Sequence, residues 1–185
     1  MAGGMGVAPL LFLAEKLAYS VEHIADSKNK SILCAKRYPL NAIVLIGAKT
    51  KGQILCEKEF KELGCEMKVS TDDGSQGFKG KATELLDNIL ASRFRLHASG
   101  SKKHVACSLQ HAAQIYACGP RSMLKEISRV SKKYNIPAQV SLEEHMACGI
   151  GACLGCVVNT KEGFKRVCKE GPVFNADEIC WVNDK

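Results

Sequence analysis

The chain has 185 residues, of which 46% are hydrophobic and 24% are charged, so it has the composition of a globular protein rather than of a disordered one. No apolar run approaches the ~20 residues that span a bilayer, and the start MAGGMGVAPLLFLAEKL lacks the basic beginning of an export signal. The net charge of +7 comes from dispersed lysines and arginines without interleaved aromatic residues, which does not favour nucleic acid. We therefore expect a cytoplasmic protein with no membrane partner and no nucleic-acid partner.

The first half of the chain alternates helical periodicity with short apolar runs. Leucines and alanines at helical spacing predict an amphipathic helix from Pro9 to about Ile24. The continuous apolar run at residues 42–48 is short enough for a buried strand. A polar helix ending near Gly64, a strand and turn within residues 65–75, and a helix within residues 80–91 follow.

The second half resumes this alternation after a stretch without a clear period. Residues 92–113 are expected to be a long connection with about one helical turn. We then predict a strand at residues 114–120, a helix at residues 120–134 and a strand at residues 136–144. Strands that alternate with helices imply right-handed crossovers and a parallel sheet, which indicates an α/β, Rossmann-like nucleotide-binding domain.

Three glycine-containing loops lie where parallel sheets usually bind ligands. The loop before the first helix could receive a pyrophosphate on its backbone amides and on the helix N-terminus. The second loop, which contains two aspartates, could reach ribose hydroxyls. Each loop alone is also typical of an ordinary tight turn, but the three together favour a dinucleotide site. The candidate residues are Gly3, Gly4, Gly6 and Pro9 in the first loop, Asp72, Asp73 and Gly74 in the second, and Cys118, Gly119, Pro120 and Met123 in the third.

Four of the ten cysteines stand close together near the C-terminus. Cys148, Cys153 and Cys156 have the C-x4-C-x2-C spacing of plant-type [2Fe-2S] ferredoxins, and Cys168 supplies a distant fourth thiol. The glycines among them leave room for a loop that points thiolates inward and amides at the sulfides. The main alternative is a four-cysteine zinc site, which typically uses two C-x2-C pairs. A disulfide, or a catalytic thiol served by His145, is a weaker interpretation, and most of the other six cysteines are interpreted as small buried hydrophobes.

The composition changes after Glu144, where the alternation of strands and helices stops. Short turns, thiols and a hairpin within residues 156–168 take its place. The sequence therefore predicts two domains, a nucleotide-binding domain at residues 1–142 and a small cluster-binding module at residues 143–185.

Five segments carry a resemblance that runs over nearly the whole chain: GGMGVAPLLFLAEKL, STDDGSQGFKGKATELL, YACGPRSML, PAQVSLEEHMACGIGACLGCVV and RVCKEGPVF. Together they resemble the electron-transfer subunit of NAD-dependent (type B) dihydroorotate dehydrogenase, a member of the ferredoxin reductase superfamily. The resemblance implies NAD(H) on the nucleotide-binding domain, FAD on an N-terminal β-barrel, and a [2Fe-2S] cluster that relays electrons to the FMN of a catalytic subunit. In that family the two subunits form a heterotetramer that oxidises dihydroorotate to orotate in pyrimidine (UMP) synthesis.

Carried over to this chain, the resemblance makes the cysteines at positions 148, 153, 156 and 168 the cluster ligands, and the residues of the three loops the nicotinamide-nucleotide contacts. It assigns no catalytic residue. The flavin barrel of the family has no counterpart in this sequence, which begins inside the glycine loop. We therefore expect an N-terminally truncated member with an incomplete nucleotide domain, a missing first strand and no activity on its own. The alternatives are a related subunit of a sulfide dehydrogenase or of an NADH/ferredoxin transhydrogenase, and a zinc-stabilised binding module.

Overall fold

The computed structural model describes residues 1–26, 42–98 and 113–181, and the chain divides into two compact units, Met1–Ala82 and Thr83–Lys185. The strands of the described residues are β1 (Ala2–Gly3), β2 (Ile43–Ala48), β3 (Glu66–Thr71), β4 (Phe78–Lys79), β5 (Ile115–Cys118), β6 (Ala138–Ser141), β7 (Val157–Thr160), β8 (Gly163–Arg166) and β9 (Val173–Asn175). The helices are α1 (Val7–Asp26), α2 (Glu57–Glu62), α3 (Ala82–Ala98), α4 (Arg121–Tyr134) and α5 (Val167–Glu170). None of these helices is both long enough and apolar enough to cross a membrane.

The first unit is a parallel sheet in the order β4-β3-β2-β1. Its central strand β2 buries Val44 and Ile46, and the core continues through Phe60 of α2 and Ala14 of α1. The alanine in α1 has almost no side chain, which lets the helix backbone approach the sheet closely. This unit therefore has the parallel α/β architecture that the alternating pattern predicts.

Residues Ala2–Gly3 occupy the position of the first strand, which the sequence predicts to be missing. They pair in parallel with Ile46 and Gly47 of β2, and Ala2 is completely buried. A tight 3-10 turn at Gly4–Gly6 follows directly, so the glycine loop begins at the carboxyl end of this short strand.

The second unit contains β5 and β6 as a parallel pair, with β9 antiparallel to β6. Helix α4 buries an apolar face that includes Leu124 and Ile127, and it ends at Asn135, whose φ of 53° is left-handed. Asparagine tolerates that conformation better than most residues, which explains the helix stop. The strand, helix and strand predicted between residues 114 and 144 are thus present.

A hairpin and a short helix precede β9. Strands β7 and β8 pair from Val157 with Arg166 to Thr160 with Gly163, which agrees with the predicted hairpin and its turn. The four-residue helix α5 and strand β9 were not predicted, because each is too short to show a period. The return of the chain to β6 through β9 means that this C-terminal segment contributes a strand to the sheet of the second unit.

The prediction for residues 92–113 is wrong in part. Helix α3 continues to Ala98, seven residues beyond the predicted end of the helix, and residues 99–112 lie outside the described ones. No glycine or proline interrupts the chain between positions 82 and 98, and the Ser92 hydroxyl donates back to the Ile89 carbonyl within the helix. The division into domains at residues 142 and 143 stays a prediction.

Candidate cofactor sites

The glycine loop of the first unit connects β1 to the N-terminus of α1. Gly3 and Gly6 are buried, whereas Gly4 is exposed and has a φ of 56°, a conformation that favours glycine. The helix begins at Val7, so Pro9 lies in its first turn, where no hydrogen bond requires its missing N–H. The loop thus presents backbone amides at a helix N-terminus, an arrangement that suits a phosphate group.

The acidic loop after β3, which contains Asp72 and Asp73, is hydrogen-bonded to the loop after β2. The Asp73 carboxylate accepts hydrogen bonds from the Ser75 amide at 2.9 Å and hydroxyl at 2.6 Å, which lowers the pKa of Asp73. The Ser75 hydroxyl in turn accepts from the Lys51 amide at 2.8 Å. Asp72 is exposed, and its carboxylate has no hydrogen-bond partner among the residues that the structure describes. Asp72 is therefore the better placed of the two acids to receive a sugar hydroxyl.

The third loop lies in the second unit, at the carboxyl end of β5. Gly119 has a φ of 153° and is buried, and Pro120 is the N-cap of α4, while Met123 is half-buried in its first turn. Burial raises the pKa of the Cys118 thiol, whose sulfur lies 3.9 Å from a carboxylate oxygen of Glu143. The predicted residues of this loop are therefore contiguous at one strand end, next to the segment that leads to the cysteines.

The four clustered cysteines form two pairs in the structure. The Cys148 sulfur accepts the Cys153 amide at 3.5 Å, and the thiol of Cys153 also donates to it. The Cys156 sulfur accepts the Cys168 amide at 3.4 Å together with the Cys168 thiol. The loop therefore brings the first thiol to the second, and the β7–β8 hairpin brings the fourth to the third.

Backbone amides surround these sulfurs and change their acidity. Hydrogen bonds from amides, above all that of Cys153, lower the pKa of Cys148 to about 6. The Cys168 amide likewise lowers the pKa of Cys156, whereas the hydrogen bond to Cys156 raises the pKa of Cys168. Thiolates are the form that binds metal, so these amides favour the ligand state of the first sulfur of each pair.

The loop that carries the first three cysteines owes its shape to left-handed residues. Gly149 and Gly151 have φ values of 68° and 80°, and Leu154 has a φ of 59° although it carries a side chain. A leucine in this region is an uncommon conformation that its surroundings must impose. Leu154 is also 62% exposed, so packing of its side chain does not explain its position.

The described cysteines are all free thiols, which gives no support to a disulfide. Within residues 1–26, 42–98 and 113–181, no group of three or more His, Cys, Asp or Glu side chains is arranged to hold a single metal ion. A structural zinc ion needs four ligands around one centre, whereas each iron of a [2Fe-2S] cluster takes two thiolates and two bridging sulfides. The two thiol pairs of the described residues match the two thiolates that each iron of such a cluster takes.

Sequence reasoning missed the polar residues that support the cysteine loop, namely Arg166 and Glu170. Arg166 lies two residues before Cys168, and its guanidinium contacts both Glu170 and the Gly151 carbonyl. The four-residue separation of the arginine and the glutamate is the one signal that the sequence offers, because residues so spaced share a helix face.

Two family models match consecutive parts of this chain. Residues 1–129 match the oxidoreductase NAD-binding domain, which covers the glycine loop, the acidic loop and the third loop. Residues 143–180 match the iron-sulfur cluster binding domain of dihydroorotate dehydrogenase B, and this range contains all four clustered cysteines.

Curated relatives with the name dihydroorotate dehydrogenase B (NAD(+)), electron transfer subunit, match nearly the whole chain. The protein from Desulforamulus reducens is 38% identical over 184 residues, which are 97% of this chain and 57% of the relative. The proteins from Caldanaerobacter subterraneus and Clostridium acetobutylicum are each 36% identical, over 97% and 100% of this chain respectively and 57% of each relative. The chain thus spans 57% of the length of these relatives.

A solved structure has the same fold. It comes from work on flavin-based electron bifurcation by the NADH-dependent reduced ferredoxin-NADP oxidoreductase. The match has a TM-score of 0.65 and 27% sequence identity, and it covers 97% of this chain and 52% of the other.

Proposed function

The chain belongs to the oxidoreductase NAD-binding-domain family. We propose that it is an electron-transfer subunit of an NAD-dependent dihydroorotate dehydrogenase, as its curated relatives are named. In this role it relays electrons between NAD(H)/FAD and the FMN of a catalytic subunit in pyrimidine (UMP) synthesis. The observation that carries the proposal is the pairing of four cysteines within the segment that matches the cluster-binding domain of that enzyme.

The thiols of Cys148, Cys153, Cys156 and Cys168 are the proposed ligands of a [2Fe-2S] cluster. The residues present fit this group, because they supply two thiol pairs and several backbone amides that already donate to the sulfurs. Such amides stabilise negative charge on sulfur and so help to set the reduction potential. When bound, the cluster supplies one-electron transfer.

The three loops are the proposed nicotinamide-nucleotide contacts. The amides at Gly3, Gly4 and Gly6 and the N-terminus of α1 are suited to bind a pyrophosphate, and Asp72 is suited to accept a ribose hydroxyl. The third loop, from Cys118 to Met123, offers close backbone approach at Gly119. NAD(H) is the proposed nucleotide, and FAD is the flavin that the family uses between the hydride donor and the cluster.

The proposed partner is an FMN-containing catalytic subunit, in a heterotetramer in the cytoplasm. The curated relatives are named as electron transfer subunits, which implies a second subunit that carries the dehydrogenase chemistry. Around the cysteines the large side chains of Met146, Ile150 and Leu154 are 48%, 76% and 62% exposed. Exposed apolar residues around a redox site suit a partner that must bring its flavin close, because electron transfer weakens steeply with distance.

The first test is whether the loaded chain exchanges electrons with its proposed partner. The full chain, reconstituted anaerobically with iron and sulfide, is reduced with dithionite and freed of excess dithionite by anaerobic gel filtration. It is then mixed with oxidised FMN-containing dihydroorotate dehydrogenase subunit, and flavin reduction is followed by stopped-flow absorbance. We expect fast flavin reduction with wild type and with Cys180→Ser, and none with Cys153→Ser or Cys156→Ser. Equal flavin reduction by the cysteine variants, or none by the loaded wild type, would refute the proposal.

The second test concerns the need for a separate flavin. NADH is a hydride donor, and its two electrons must be divided before a one-electron centre can accept them. We therefore expect NADH alone to leave the loaded chain oxidised, and added flavoprotein to restore its reduction. Rapid bleaching of the visible absorption by NADH without flavoprotein would contradict this part of the proposal.

A further inference from the structure

Arg166 joins two segments of the cysteine site. Its Nη1 donates to the Gly151 carbonyl at 3.1 Å, in the loop that carries Cys148 and Cys153. Its Nε lies 3.1 Å from both carboxylate oxygens of Glu170, and its Nη2 donates to the same carboxylate. The guanidinium therefore spans the cysteine loop and the far end of α5.

Glu170 completes this connection from the other side. Its carboxylate also accepts the backbone amide of Arg166 at 2.7 Å, directly before the start of α5. Cys168 lies between these two residues along the chain, so the ion pair joins the ends of the five-residue segment that carries the fourth thiol. The Arg166 and Glu170 side chains are 31% and 32% exposed, which leaves their charges only partly screened by water.

The contact at Gly151 connects the cysteine loop with the segment that carries Cys168. The Gly151 carbonyl accepts a hydrogen bond from Arg166, which lies two residues before Cys168. Gly151 has a φ of 80°, and a Cβ there would lie 3.1 Å from Lys169 Cδ and 3.4 Å from Arg166 Nη1. The arginine thus connects the loop at Gly151 with the segment that carries the fourth thiol.

The charge of Arg166 lies next to the thiols as well. Its guanidinium reaches the Gly151 carbonyl in the loop that carries Cys148 and Cys153, and Cys168 follows Arg166 by two residues. A fixed positive charge near a redox centre favours the form with one more electron, and a nearby carboxylate opposes it. Arg166 and Glu170 therefore place two opposite charges beside the cysteine site, with opposite effects on its reduction potential.

We propose that Arg166 is a positioning residue of the cysteine site, which holds the loop at Gly151 against the segment that carries Cys168 and whose charge, balanced by Glu170, sets the reduction potential. This inference rests on the proposed [2Fe-2S] function. The positioning role and the effect of the charge can be separated experimentally. A lysine keeps the positive charge of Arg166, but it lacks the planar guanidinium that donates to both Gly151 and Glu170.

The test compares four variants of the full chain after anaerobic reconstitution with iron and sulfide. They are Arg166→Gln, Arg166→Lys, Glu170→Gln and the control Lys161→Gln, which removes one positive charge from an exposed 3.8 Å ion pair with Asp177. Two properties are measured: the midpoint potential, from a redox titration followed by paramagnetic resonance, and the rate of iron release to a chelator.

At a fixed applied potential, we expect Arg166→Gln to lower the ratio of reduced to oxidised chain about tenfold. This corresponds to a midpoint potential that is about 59 mV lower for a one-electron couple. This variant should also release iron about tenfold faster, as loss of an outer contact commonly does. Arg166→Lys should keep the potential but release iron as fast as Arg166→Gln. Glu170→Gln should raise the potential, and Lys161→Gln should change neither property.

The outcomes separate this inference from the function on which it rests. A wild-type chain that takes up no iron and sulfide refutes the proposed function itself. A wild type that loads, together with Arg166→Gln and Lys161→Gln variants that behave alike, overturns the role of Arg166 and leaves the function standing. If Arg166→Gln does not fold, an unchanged potential in Glu170→Gln overturns the proposal, and a raised one supports it.

Discussion

Gly77 is a position at which the structure predicts a large effect of adding a single methyl group. It has a φ of 70°, and a Cβ built on it would lie 2.1 Å from the Val69 carbonyl oxygen and 2.8 Å from the Val69 carbonyl carbon. Both contacts are with the backbone of β3, which cannot turn aside as a side chain would. Gly77→Ala must therefore push the loop after β3 away from the strand.

The cost has two parts. A left-handed conformation costs a residue with a Cβ about 1–2 kcal/mol. Relief of the backbone overlap adds a further strain of about 1–3 kcal/mol, the range found for overpacked sites. The free energy of unfolding should thus fall by about 2–5 kcal/mol, a large share of the ~5–15 kcal/mol that a domain usually has.

Urea denaturation of the iron-free chain, followed by circular dichroism, measures this free energy. Gly4→Ala is the matched control, because Gly4 lies in the same unit with a φ of 56° and a Cβ added to it would meet no atom within 4 Å, so it should lose only the conformational part. Gly52→Ala has neither a positive φ nor a close contact and should not lose stability. If Gly77→Ala were no less stable than Gly4→Ala, the steric explanation would be refuted.

Three further predictions concern the reactivity of the thiols, the stability at acidic pH and the buried serine hydroxyls. In the iron-free chain Cys148 should be alkylated by iodoacetamide with a pH midpoint of about 6, far ahead of Cys65, whose pKa burial raises; peptide mass spectrometry that finds equal rates at pH 7 would contradict this. The ion pair with Arg166 lowers the pKa of Glu170 from 4.5 to about 2. The stability that the Glu170 carboxylate contributes is therefore complete above pH ~4.5 and is lost as the pH falls toward 2. Glu170→Gln should make the melting temperature less dependent on pH between these values. Ser131→Ala should lower the free energy of unfolding by about 1–3 kcal/mol, because the buried Ser131 hydroxyl donates to the Ile136 carbonyl at 2.6 Å. Ser70→Ala should leave this free energy unchanged, because the buried Ser70 oxygen has no hydrogen-bond partner in the described part of the chain. A lower urea midpoint for Ser70→Ala than for Ser131→Ala would show the assignment to be wrong.

The fold class followed from the sequence because its strongest signals are local. The apolar run of β2 and the amphipathic face of α4 each show their period over enough residues to be read without tertiary information. Strand β9 could not be found in this way, since three residues acquire strand character only by pairing with Gln139, Val140 and Ser141 of β6. The end of α3 was misplaced because the loss of a clear apolar period does not stop a helix that meets no proline or glycine.

The site was predictable in its residue types but not in its geometry. The spacing of the cysteines singles out four thiols, which the structure brings together in two pairs, and their role as ligands stays a prediction. The pairing of Cys156 with Cys168, and the contact of Arg166 with Gly151, join residues 12 and 15 positions apart. Such contacts depend on how the hairpin returns to the loop, which no local pattern encodes.

The central claim is that the four cysteines hold an electron-carrying cluster, and its most direct test is the metal content and spectrum of the anaerobically purified chain. Iron and acid-labile sulfide are assayed together with visible absorption, and paramagnetic resonance is recorded at low temperature after dithionite reduction. We expect a reddish protein with about two iron and two sulfide per chain and a signal from the reduced cluster. A colourless protein that contains zinc, even after reconstitution with iron and sulfide, would contradict the claim.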